Sequence, residues 1–180
     1  VDVPEWVNEA LKEKILFAAR YDGEDMKLDA DAAESIQQNI STVAWVDDVR
    51  VRTANDRFVI KANWRKPLGR VKFARRNYYV DADLGVLDSG EIGKLPIVDI
   101  TGLAVKKTKP VLGEVLRLDD LAAATAILER LGRMDNLITP DKPLLFEIKS
   151  IDVRNFNGRR SSSKGHIILY ARDDTEIIWG

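Results

Sequence analysis

The sequence contains no cysteine and a single histidine, His166. The first absence removes disulfides, thiol nucleophiles and Cys-ligated zinc. The second removes His-rich metal sites and most Ser-His-Asp chemistry, unless a partner chain supplies residues. No stretch approaches the ~18 consecutive apolar residues of a membrane span, and no signal peptide is visible. Charge of one sign is also lacking: 28 basic against 29 acidic residues leave a net charge of −1, which demotes nucleic-acid wrapping as the main task. What remains is ordinary globular material, 180 residues with 45% hydrophobic and 32% charged, enough for a core in one large domain or two small ones. The chain opens at Val1 without Met, so an excised fragment or a processed product is expected, and the full gene can still encode an anchor.

The hydrophobic period is helical first. Pro4 and Glu5 suit a first turn, and Val7, Leu11, Ile15 and Ala18–Ala19 share a face, predicting a helix over about residues 4–20 closed by Tyr21-Asp22-Gly23. A second helix is expected at about 32–41, with Asp31 and Glu34 at capping-box spacing. The period then becomes two. Val49 and Val51 alternate with Arg50 and Arg52, Thr53–Asp56 is turn chemistry, and Phe58, Ile60, Ala62 and Trp64 alternate with Val59, Lys61, Asn63 and Arg65. This is a hairpin expected to bury Phe58 and Ile60 on the helices, so that Ile60→Asp would unfold it.

From Leu68 the texture is mostly strand, around Val71–Phe73, Tyr78–Val80, Val86–Leu87, Leu95–Val98, 144–154, 166–172 and 175–179. One helix interrupts, with Leu118, Leu121, Ala124, Leu128 and Leu131 on a face, Asp119 or Asp120 as its cap and Gly132 as its stop. The fold class expected is α+β. It comprises a small domain over residues 1–68, with helices followed by a hairpin (βαα-ββ or αα-ββ), and a mostly antiparallel β-rich domain over 69–180 with helix packed on its sheet.

The densest charge feature is Arg65, Lys66, Arg70, Lys72, Arg75 and Arg76, six basic residues in a run without an acid, with Phe73 inside and Tyr78–Tyr79 following. Such a run can follow phosphates and stack bases or meet anionic lipid. The overall charge balance favours the plainer reading, in which these side chains decorate the solvent face and edge of a strand pair. Asp81-Ala82-Asp83-Leu84-Gly85 resembles a calcium loop in composition, but the EF-hand glycine and bidentate glutamate fall out of register, which leaves a hairpin turn. Gly158–Lys164 lacks the P-loop spacing; Arg159-Arg160-Ser161-Ser162 suits a kinase substrate but reads better as a mobile hairpin loop. His166 stands at a strand start as a surface or edge residue. Asp47/Asp48 and Asp173/Asp174 are adjacent pairs that point apart on a strand, the latter better read as a turn. No catalytic, cofactor-binding or metal-binding residues are assigned, and an enzyme is not expected.

In order and spacing, several segments resemble the bacterial division proteins FtsQ/DivIB. They are Trp45-Val46-Asp47-Asp48-Val49-Arg50-Val51; the strand Arg57–Arg65 with Lys66-Pro67-Leu68-Gly69; Tyr79-Val80-Asp81-Ala82-Asp83-Leu84-Gly85; Leu95-Pro96-Ile97-Val98 with Gly102; and Thr175–Gly180. The likeness covers roughly residues 30–180, and Pro4-Glu5-Trp6-Val7 is similar to planctomycete versions. Leu68-Gly69 and the long, basic Ala104–Leu116 segment depart from the family pattern. The resemblance implies a POTRA domain followed by the family's β domain, here truncated at its C-terminus. It implies the extracytoplasmic (periplasmic-side) region of a single-pass inner-membrane protein, anchored by a segment not present in this chain. Its function would be a non-enzymatic scaffold that binds other division proteins, FtsB/FtsL-like, by β-strand addition, with no cofactor and no nucleic acid. Ile167, Leu169, Ile177 and Trp179 are the residues expected to form a partner-binding strand surface. Two alternatives stay open: a POTRA-like binding module of another envelope assembly, and a basic-patch binder of nucleic acid or anionic lipid.

Overall fold

The computed structural model describes residues 3–20, 28–104 and 109–179. The chain is α+β and divides into two compact units, Val1–Arg65 with Gly90–Leu95, and Lys66–Ser89 with Pro96–Gly180. The break at Arg65 lies three residues before the expected boundary. The return of 90–95 to the first unit was not expected.

In the first unit, helix α1 (Glu9–Ala18) and helix α2 (Ala30–Ser41) precede an antiparallel hairpin of β1 (Val46–Ala54) and β2 (Arg57–Trp64). α1 starts at Glu9 rather than near Pro4 because Asn8 Oδ1 accepts from the Leu11 N–H, a true N-cap. The preceding Pro4–Val7 closes on itself as a turn, with Val7 N–H donating to the Pro4 carbonyl. α2 likewise begins two residues early, since Asp29 and not Asp31 accepts from Ala32 N–H. Tyr21-Asp22-Gly23, the expected end of the first helix, lies outside the described residues.

The core of this unit gathers Leu11, Ile36, Ile40, Val49 and Trp45, the last two from the start of the hairpin. Trp6 stacks obliquely on Trp45 and meets Trp64 edge-on, each at 6.3 Å between ring centroids. Segment 90–95 belongs here because Gly93 N–H donates to the Trp6 carbonyl at 2.8 Å and Asn8 Nδ2 donates to the Glu91 carbonyl. A Cβ on Gly93 would stand 2.8 Å from Trp6 Cα, so only glycine admits this approach.

The second unit is one seven-stranded sheet in the order β5-β4-β3-β6-β7-β8-β9. Its strands are β3 (Pro67–Phe73), β4 (Arg76–Asp81), β5 (Val86–Asp88), β6 (Val98–Thr101), β7 (Ile148–Asp152), β8 (Ile167–Ala171) and β9 (Glu176–Trp179). Pairing is antiparallel except at β3–β6 and β6–β7. Helix α3 (Asp119–Ile138) packs Leu121, Ala124, Leu128 and Leu131 into the core with Val71, Val98, Ile100, Ile151 and Leu169 from the sheet. That burial is worth roughly 2 kcal/mol per large aliphatic side chain.

Two expectations for α3 fail. The helix does not stop at Gly132, because a glycine inside a helix costs only about 1 kcal/mol and Leu145 Cδ1 packs over the bare position, 3.4 Å from where a Cβ would stand. The helix runs on to Ile138, where Asp135 accepts from Thr139 Oγ1 and from the N–H groups of Leu144 and Leu145. Its N-cap is Leu118, and neither Asp119 nor Asp120 occupies that position.

Candidate functional site

Both units have strand edges without a second sheet neighbour among the described residues, and hydrogen-bond alternation shows which backbone groups each one presents. In the first unit β2 has β1 as its one sheet neighbour. Arg65 N–H donates back to the Trp45 carbonyl, so odd-numbered residues of β2 face β1 and the even-numbered Phe58, Ile60, Ala62 and Trp64 aim N–H and C=O outward. On the far side of β1 the same alternation turns Val51 N–H outward, and there Gln37 Oε1 accepts it at 3.0 Å. β1 is thus partly capped, and no such cap lies on β2 among the described residues.

In the second unit the start of the β5 edge is covered. Val86 N–H donates to the Glu114 carbonyl, Gly113 N–H to the Val86 carbonyl and Leu116 N–H to the Leu84 carbonyl, so segment 111–116 straps the strand. Part of the long Ala104–Leu116 insertion therefore serves as an edge cover. At the opposite side β9 pairs with β8 alone among the described residues. Ala171 N–H donates to the Thr175 carbonyl, so Ile177 and Trp179 face β8 while Glu176 and Ile178 present main-chain groups outward. Ile178 is 67% exposed and Ile177 38%.

This arrangement corrects the expected strand surface. Ile167 and Leu169 lie on the inner face of β8, buried beside Ile151 in the core, and offer no side chain to a partner. Trp179 also packs partly on that core, which leaves Ile177 half-exposed on β9. Ile178, which was not singled out, is the exposed apolar residue of the edge. Its position one residue out of phase with Ile177 is the signal that could have identified it.

The basic run divides between the two units. Arg65 belongs to the first unit, where its Nη1 reaches the Ala44 carbonyl at 3.5 Å, and the other five belong to the second. Arg70 on β3 is engaged in a two-point ion pair with Asp99 of the adjacent β6, and the hydrogen bonds it donates to that carboxylate hold its guanidinium pKa above the ordinary arginine value. Lys66, Lys72, Arg75 and Arg76 are exposed, the last three around the β3–β4 turn. In that turn Ala74 and Arg75 adopt φ of 45° and 71°.

The 157–165 segment, expected as a mobile hairpin loop, is bonded along its length to Asn155. Asn155 Nδ2 donates to the carbonyls of Ser161, Lys164 and Gly165, and its Oδ1 accepts from the N–H groups of Arg160 and Ser161. Arg159 is folded inward onto Asp120 and the carbonyls of Gly102, Val153 and Arg154. Asp81 Oδ1 accepts from Asp83 and Gly85 N–H, an Asx-type turn that explains the calcium-like composition. Asp173 and Asp174 do form the turn between β8 and β9, and His166 is exposed. Burial and the facing Glu176 carboxylate raise the Tyr170 pKa. Among the described residues no group of three or more His, Asp or Glu side chains is placed to hold a metal ion, and no helix is long and apolar enough to cross a membrane.

No protein-family model matches the sequence, and a comparison with curated proteins finds no match.

Proposed function

We propose that this chain is the extracytoplasmic region of a bacterial division scaffold of the FtsQ/DivIB type. In this reading it is anchored in the inner membrane by a segment outside the chain and acts without catalysis. It docks other division proteins, FtsB/FtsL-like in kind, by strand addition. The observation that carries this reading is the β9 edge, whose outward main-chain groups at Glu176 and Ile178 are flanked by an exposed apolar side chain. Main-chain hydrogen bonds supply affinity in this mode and alternate side chains supply selectivity. The motif order that resembles the division family also supports it.

The test is localisation of the full-length protein, fused to a fluorophore, in dividing cells of its own host, with Ile178→Pro alongside. Proline is tolerated where the replaced N–H faces away from the sheet, so that variant closes the edge without breaking β8–β9 pairing. A mid-cell band that appears with constriction, with division partners co-purifying on the unmodified chain and lost from the variant, supports the proposal. A diffuse or nucleoid pattern overturns it and favours a role for Lys72, Arg75 and Arg76 on anionic ligands.

A further inference from the structure

We infer that the open edge of β2 is a separate docking edge, which takes an extended segment of alternating apolar and acidic residues from a partner protein. The inference rests on the first unit alone and stands whether or not β9 binds a division protein.

Three features of this edge converge. The first is the outward N–H and C=O row of Phe58, Ile60, Ala62 and Trp64, for which the sheet supplies no second neighbour. The second is a groove on the helix side of the strand, of about 280 Å³, walled by Ile15 and Leu16 of α1 and by Ile60, Ala62 and Trp64 of β2. Leu16 is 64% exposed there, so the groove has an apolar rim as well as an apolar floor. Trp64 also lines the wider trough of about 680 Å³ that runs along the strand, and its indole N–H is buried with no acceptor among the described residues.

The third feature is charge. On the opposite face of the hairpin, alternation places Arg57, Lys61, Arg50 and Arg52 together, with Lys61 directly across from Arg50. Like charges in directly opposed positions destabilise a strand pair. Asp48 offsets only part of this, by a two-point pair with Arg50, and Asp56 stands 4.0 Å from Arg57. Lys61 and Arg52 have no ion-pair partner among the described residues.

A strand added beside β2 has its own alternation imposed on it, since successive side chains point to opposite faces. Residues on one side enter the apolar groove, and those on the other lie beside Lys61 and Arg57. The chemistry that satisfies both faces is therefore apolar–acidic alternation. Lysine in the acidic positions would add to the existing repulsion.

The probes are fluorescein-labelled ten-residue peptides read by anisotropy: alternating Val and Glu, alternating Val and Lys, and the Val–Glu peptide N-methylated at alternate residues. The Val–Glu peptide is expected to bind at least about tenfold more tightly than either of the others and to weaken as salt rises. Ala62→Pro removes an outward N–H and should abolish binding while leaving the circular dichroism and melting temperature close to wild type. Lys61→Glu combined with Arg57→Glu, both exposed positions that do not threaten folding, should reverse the preference toward the Val–Lys peptide. Ile178→Pro should leave peptide binding unchanged, which separates this edge from β9. Equal binding of the N-methylated peptide, no binding of the Val–Glu peptide at millimolar concentration, or a preference unmoved by the Lys61/Arg57 reversal would each overturn the inference. Displacement of the peptide by Ile178→Pro, or stronger binding of a single-stranded oligonucleotide to the same cationic face, would overturn it as well.

Discussion

Arg159 and Asp120 lie 39 positions apart and form an ion pair of 2.8 Å at the start of α3. The Asp120 carboxylate also accepts from Ala104 and Leu121 N–H, and the other guanidinium nitrogens of Arg159 reach the carbonyls of Arg154, Gly102 and Val153. One carboxylate and one guanidinium thus fasten a helix start, the end of β6 and the loop after β7. Because the Asp120 side chain is only 4% exposed while Arg159 retains 29%, truncating the acid is the more damaging change. Asp120→Ala is expected to cost about 3 kcal/mol, read as lost hydrogen-exchange protection in the second unit with the first unit unaffected. A change below ~1 kcal/mol would show that the pair does not organise these segments.

The first unit separates two isoleucines that look equivalent in sequence. Ile40 is completely buried, whereas Ile60 is half-buried at the groove beside α1. Ile40→Asp places an unpaired carboxylate in the core and should abolish cooperative folding of the unit. Ile60→Asp should remain folded and soluble, contrary to what the strand pattern alone implies. Near-ultraviolet circular dichroism of the Trp6–Trp45–Trp64 cluster distinguishes the two outcomes.

Gly102 follows β6 with φ of +79°, and a Cβ there would stand 2.6 Å from Arg154 N. Its carbonyl is also an acceptor for Arg159. Gly102→Ala combines a left-handed backbone conformation with a collision against main chain that cannot swing aside. A loss of at least ~2 kcal/mol is expected in urea denaturation. Gly90→Ala, where nothing lies within 4 Å of the added Cβ, is the neutral control.

In the turn before β9, Asp173 Oδ1 accepts from Thr175 N–H at 3.0 Å, and this bond holds the Asp173 carboxyl below the ordinary carboxylate range. A carboxylate with a lowered folded pKa contributes stability that is complete above the unfolded pKa, about 3.9. That contribution disappears as pH falls through the lower folded value. The stability difference between wild type and Asp173→Ala should therefore be constant from pH 5 to 8 and shrink below about pH 4. A difference that persists unchanged at pH 2, followed by chemical denaturation, would assign the effect to something other than this carboxylate.

Much of the architecture was legible because it depends on local periodicity. The existence of α2, the β1–β2 hairpin, the Asp81–Gly85 turn and the Asp173–Asp174 turn follows from apolar spacing and turn chemistry that act over a few residues. The limits of the helices were harder to read. Asp29 and Leu118 occupy the caps where Asp31 and Asp119 or Asp120 were expected, and Asn8 starts the first helix later than the Pro4–Glu5 first turn implied, because tertiary contacts choose among the possible starts. Gly132 illustrates the same limit: its small size is used for packing by Leu145 and does not end the helix.

The candidate sites were less legible, for a reason specific to strands. A residue such as Leu169 reads as a strand apolar residue whether its face meets a core or a partner, and only the placement of α3 over that face decides that it is core. Whether an edge is open depends on what lies beside it in space. Segment 111–116 covers the start of β5, Gln37 covers part of β1, and nothing among the described residues does the same for β2 or β9. Composition and alternation, which are properties of neighbours in the chain, determined the α+β class and the order of its elements. Strand order, buried pairing such as Arg159 with Asp120, and the exposure of each edge arise between residues distant in the chain, and tertiary packing alone decided them.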